Sequence, residues 1–133
     1  MENIIDKLLA FDTNKIKIPT KNYTMKLKKL GGESFDFPLV AISPEILAEI
    51  KENMMDFNGK SMKVKIRAFE GQIRTIIEGC PTVFKNEEVI RKFGAKTPYE
   101  LVTKILLGGE MEELADEIEN LSGFENVVDD VKN

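Results

Sequence analysis

The stretch "YTMKLKKLGGESFDFPLVAI", Tyr23 to Ile42, decides the fold. Tyr23, Met25 and Leu27 alternate with Lys26 and Lys28, the period of two that gives a strand one apolar and one polar face. Gly31-Gly32-Glu33-Ser34 supplies turn residues, and Phe35 to Ile42 resumes as a second strand. The simplest pairing is an antiparallel hairpin. Pro38 has no N–H to give to a ladder, so the second strand is expected at an edge or to carry a bulge there.

Outward from the hairpin the pattern turns helical. On its N-terminal side, Ile4, Ile5, Leu8 and Leu9 have helical spacing within residues 3–11, and Pro19-Thr20 breaks that pattern. On its C-terminal side, Ser43 and Pro44 are an N-cap and a first helical residue, followed by Ile46, Leu47, Ile50, Met54 and Phe57 on one face. Asn58 and Gly59 are natural left-handed terminators. A second helix is expected from Val64 to Gly79, with Ile66, Phe69, Ile73, Ile76, Ile77 and Cys80 inward and Pro81 as its stop. A short helix from Glu87 to Phe93 is capped by Asn86 and closed by Gly94. Thr97, Pro98 and Glu100 form a capping box ahead of Leu101, Val102, Ile105 and Leu106, with Gly108-Gly109 as the expected end. The last helix runs from about Glu110, burying Met111, Leu114, Ala115, Ile118 and Leu121, to Ser122-Gly123. The expected fold is α+β and predominantly helical, an N-terminal antiparallel hairpin covered by about five short helices. Residues 1–133 are expected to form one domain: helix plus hairpin over 1–42, a helical part over 43–123, and a flexible acidic tail over 124–133.

Composition narrows the chemistry. The hydrophobic fraction of 42% and charged fraction of 32% are those of a globular protein. No apolar run approaches the roughly 20 residues a membrane span needs, and Glu2 and Asp6 interrupt the N-terminal apolar segment, unlike a signal peptide. A cytoplasmic protein without membrane contact is expected. One cysteine allows no internal disulfide, and with no histidine to activate it, Cys80 reads as a buried thiol. "NGKS", Asn58 to Ser61, has the end of a phosphate-binding loop but Met54 where the first glycine belongs. No metal, cofactor or enzymatic centre is expected.

Charge is unevenly placed. Six lysines and no acid lie between Thr13 and Gly32, whereas nine acids against Lys132 alone follow Ile105. These are two solvated faces, or a basic end that meets an acidic end on a partner or on another copy, giving a weak homo-oligomer. Nucleic-acid binding through Lys26, Lys28, Lys29 and Tyr23 is disfavoured by a net charge of −4. Beyond Gly123, Phe124, Val127, Val128 and Val131 are spaced as one face of a helix, with Glu125, Asp129 and Asp130 largely opposite. A stretch this short is marginal alone, so it frays, packs back, or binds a partner. These four residues are the candidate partner-binding set.

The segment Phe84 to Phe124 resembles the XkdN-like family of phage tail assembly chaperones. The motifs that carry the resemblance are Lys92-Phe93-Gly94, Thr97-Pro98, Leu106-Leu107-Gly108-Gly109-Glu110 and Leu121-Ser122-Gly123-Phe124. Upstream, Ile18 to Lys21 and Asp56 to Lys60 also fit. Gly108 and Cys80-Pro81 depart from the commoner residues at structural positions. The resemblance implies a chaperone that binds the tape measure protein, with the tail tube protein as a further partner. It keeps the tape measure protein soluble while tube subunits assemble, and is absent from the finished tail. It also implies a longer product made by programmed frameshifting. A structural tail component, such as a completion or adaptor protein, is the alternative.

Overall fold

The computed structural model describes residues 3–54 and 61–124. The hairpin is formed by β1 (Thr20–Leu27) and β2 (Glu33–Val40), paired antiparallel from Thr20↔Val40 to Leu27↔Glu33. A 3-10 turn at Lys28–Leu30 precedes Gly31 and Gly32, whose φ values of 73° and 74° favour residues without a Cβ. The register is unbroken through Asn22↔Pro38, so Pro38 is accommodated without a bulge. In a two-stranded sheet both strands are edges, which leaves the missing N–H harmless.

Seven α-helices accompany the hairpin among the described residues: α1 (Ile4–Ala10), α2 (Pro44–Met54), α3 (Ser61–Gly79), α4 (Pro81–Phe84), α5 (Glu87–Lys92), α6 (Pro98–Ile105) and α7 (Gly108–Leu121). The fold is α+β and predominantly helical, as expected. Caps act at the anticipated residues. Asn86 Oδ1 accepts from the Val89 N–H at 3.1 Å, and Thr97 Oγ1 from the Glu100 N–H at 3.1 Å. Glu100 Oε2 in turn accepts from the Lys96 N–H, one residue before the expected cap position.

Three local expectations are corrected. Pro81 ends α3 but also opens α4, a one-turn helix at whose first position its missing N–H costs nothing. Gly108 and Gly109 do not close α6; they open α7. Helix α6 stops at Ile105, and Glu110 Oε1 reaches back to the Leu107 N–H at 2.8 Å, so the acidic residue fixes the start of α7. Phe69 is 43% exposed rather than inward, one turn before Ile73, where the buried stripe of α3 in the described core begins. Phe57 and the Asn58-Gly59 terminator lie outside the described residues, as do the side chains of Met54 and Ile66.

One face of the hairpin, Met25 and Leu27 with Phe37 and Leu39, is buried against the helices. Phe84 of α4 stacks on Phe37, with centroids 6.1 Å apart. Ile73 and Ile76 of α3, Leu101 and Val102 of α6, and Leu114 and Ile118 of α7 complete the same core. Helices α3 and α7 approach so closely at Gly79 that an added Cβ would lie 2.3 Å from Ile118 Cγ2. Thr75 is the buried polar residue of the described core, and its Oγ1 donates to the Gly71 carbonyl at 2.8 Å.

Candidate partner-binding surface

The lysine-rich strand and the acidic last helix meet, but within one chain. Lys21 Nζ lies 2.9 Å from Glu117 Oε2, and Tyr23 Oη donates to Glu113 Oε2 at 2.5 Å. The Lys28 N–H donates to Glu110 Oε2 at 3.2 Å. The acids fall at 110, 113 and 117, one face of α7, so a single helical stripe latches along β1. The hydrogen bond to Glu113, with burial and the charges of Glu113 and Glu117, raises the Tyr23 phenol well above its ordinary range. Lys29 Nζ continues the seam to the Thr103 carbonyl at 2.8 Å. Part of the acidic face of α7 is thus engaged in holding the hairpin to the helical part, through Lys21, the Tyr23 hydroxyl and the Lys28 N–H.

Cys80 is fully buried, as its apolar stripe suggested, and burial pushes its thiol up to about 12 against a smaller pull from the Val83 backbone. Such a thiol is a poor nucleophile at neutral pH. Among the described residues, no group of three or more His, Cys, Asp or Glu is placed to hold a metal ion. No described helix is long and apolar enough to cross a membrane. Of the phosphate-loop fragment only Ser61 lies among the described residues, at the start of α3.

What the described surface offers instead is apolar area. Helix α1 is capped by Asn3, whose Oδ1 accepts from the Asp6 N–H at 2.9 Å, yet it buries no residue. Ile4, Ile5, Leu8 and Leu9 are exposed, Leu9 by 80%, and Phe11, Ile16 and Ile18 follow in the same state. Periodicity identified this helix but not the direction of its face, because a 3.6-residue repeat reads the same whether or not the chain covers it. No sequence signal told the two apart, since Ile16 and Ile18, the apolar residues between Phe11 and Pro19, are exposed as well.

Of the residues proposed from sequence for partner binding, Phe124 is described, and Val127, Val128 and Val131 lie outside the described residues. Phe124 is half exposed. Its N–H donates to the Glu119 carbonyl at 3.0 Å across Gly123, whose φ of 101° turns the chain out of α7. Lys51 Nζ sits 4.8 Å from its ring centroid while pairing with Glu119 at 3.4 Å. The N-terminal arm and the chain end at Phe124 leave the body close together. The Ala41 N–H donates to the Pro19 carbonyl and the Ile42 N–H to Ser122 Oγ, both at 2.9 Å, so consecutive residues anchor the root of each.

A model of the phage XkdN-like tail assembly chaperone protein family matches residues 5–133. No curated protein matches the chain significantly. The fold is similar to the crystal structure of the protein YqbN, a structural genomics target, with a TM-score of 0.54 over 82% of this chain and 90% of that one. At 19% identity that likeness concerns the fold alone.

Proposed function

This chain belongs to the XkdN-like family of phage tail assembly chaperones, and from that premise we propose that its client is the tape measure protein. It binds this long helical protein in the host cytoplasm, keeps it soluble while tube subunits assemble, and is displaced before the tail is complete. Tail tube protein is the second partner, arriving as the chaperone leaves. No catalytic group takes part; apolar surface with a charged rim is what such a task requires.

The observation that carries this reading is Phe124, half exposed where the chain leaves α7. Phe124, Val127, Val128 and Val131 form the client-binding stripe, an amphipathic helix laid along a helical client. Four such side chains contribute about 1.5–3 kcal/mol each when fully buried, before ordering costs, which suits displaceable binding.

The test is deletion of residues 123–133, followed by co-expression with the tape measure protein of the same phage or prophage. The expected outcome is a truncated chaperone that still unfolds cooperatively while most of the client moves to the pellet. If the folded, truncated chain solubilises the client as well as the full chain does, the stripe is not the binding surface. Detection of the protein in finished, purified tails would favour a structural tail component instead.

A further inference from the structure

The hydrogen-bond alternation of the hairpin leaves its two outer edges unequal. The Ala41 N–H donates to the Pro19 carbonyl at 2.9 Å, so in this register the odd-numbered residues of β1, in the pairs Lys21↔Leu39, Tyr23↔Phe37 and Met25↔Phe35, exchange the ladder bonds. The N–H and C=O groups of the even-numbered residues point away from the partner strand. On β2 that outward row is Ser34, Asp36, Pro38 and Val40, broken by a residue with no N–H. On β1 it is Thr20, Asn22, Thr24 and Lys26, with every donor present, and it ends where Glu110 Oε2 takes the Lys28 N–H. These four residues are exposed, and among the described residues none of their N–H groups has a hydrogen-bond partner. Six steps of strand make this an unbroken edge of about 20 Å. Such an edge is a template for one more strand. We propose that the β1 edge takes up an extended segment of a partner protein, one that alternates acidic and apolar side chains.

Charge selects the occupant. Strand β1 carries Lys21 and Lys26 and no acid, and Lys28 and Lys29 follow it. Lys21 is paired with Glu117, and Lys29 reaches the Thr103 carbonyl, but Lys26 and Lys28 make no ion pair among the described residues. A second copy would set another acid-free, lysine-bearing strand beside the first, which like charges oppose. The acidic residues after Gly123 leave the body at the other edge, where Ser122 Oγ accepts from the Ile42 N–H beyond the end of β2. An added strand alternates its side chains as β1 does. Its solvent face would share the side of Asn22, Thr24 and Lys26, where the carboxylate of Asp36 already accepts from the Thr24 hydroxyl. Its other face would lie toward Glu113 and Glu117 of α7, which the inward side chains Tyr23 and Lys21 reach. Acidic side chains suit the first face and apolar ones the second.

This surface is separate from the stripe that begins at Phe124, and its test needs no client. The full chain is mixed with a seven-residue peptide alternating valine and glutamate, or with one alternating valine and lysine, and amide hydrogen exchange is followed residue by residue. In the free chain the amides of Asn22, Thr24 and Lys26 are expected to exchange fast, and those of Tyr23 and Met25, paired to β2, slowly. The acidic peptide is expected to slow the first three by at least about tenfold at saturation, and the basic peptide to leave them unchanged. Asn22→Pro removes one outward donor opposite Pro38 without breaking a described hydrogen bond, and is expected to weaken peptide binding by at least about tenfold while unfolding stays cooperative. Lys26→Glu, at an exposed side chain, is expected to weaken it as well. No protection by the acidic peptide, equal protection by both peptides, or binding untouched by both substitutions overturns the proposal. Protection already present without peptide also overturns it. If that protection rises with chain concentration the occupant is a second copy, and if it does not the occupant is a segment of the same chain.

Discussion

Cys80 shows at residue scale how burial turns a reactive side chain into packing. Its thiol is 0% exposed, on the stripe that faces the core, and burial raises it from an ordinary 9.0 to about 12. Below pH 9 the thiol is protonated in the folded and unfolded states alike, and its contribution to stability is fully present. Between 9 and about 12 the unfolded chain releases the proton while the folded chain keeps it, so stability falls as pH rises. The loss is at most about 1.4 kcal/mol per pH unit. Urea unfolding at pH 8, 10 and 11 should therefore show a steeper alkaline decline for the native chain than for Cys80→Ala. The Tyr23 phenol is also raised, but it is common to both proteins and cancels in the difference. Parallel declines would mean that the thiol does not hold its proton through folding.

At the scale of elements, the seam between β1 and α7 joins parts of the chain 90 or more residues apart at Tyr23–Glu113 and Lys21–Glu117. Its members differ in worth. The Lys21–Glu117 pair is solvated, with Lys21 about half exposed, and pairs of this kind contribute about 0–1 kcal/mol. The Tyr23 hydroxyl, on a half-buried ring packed against the core, makes a hydrogen bond of about 0.5–1.5 kcal/mol. Double-mutant cycles with Tyr23→Phe and Glu113→Gln, and with Lys21→Met and Glu117→Gln, should give the larger coupling for the tyrosine pair. That coupling should also change less between low and high salt. A larger, salt-sensitive coupling for the lysine pair would reverse this assignment.

At the scale of the whole molecule, the described fold divides into a packed body from β1 to α7 and an N-terminal arm that contributes nothing to its core. Deleting residues 1–18 should leave the body's stability within about 0.5 kcal/mol in thermal or urea unfolding, since none of the described side chains of that stretch is buried. A larger loss would show that the arm packs on its own body. The sequence by itself determined whatever depends on near neighbours: the hairpin, from its alternation and Gly31-Gly32; the caps at Asn86 and Thr97; and the inward stripe of α7 at Met111, Leu114, Ala115 and Ile118. These follow from backbone hydrogen bonding and periodicity within a few residues, which a single sequence records. Only the tertiary structure decided which apolar faces find a cover. Leu8 and Leu114 sit on equally regular stripes, yet one is solvated and the other buried, because cover is supplied by residues distant in the chain. The same holds for charge: the sequence displayed a basic and an acidic end, but their meeting within one chain required the hairpin to fold back along α7. Gly108-Gly109 failed as a stop for the same kind of reason, since the conformation of a glycine is set by what surrounds it, here Glu110 closing the first turn of α7 onto Leu107.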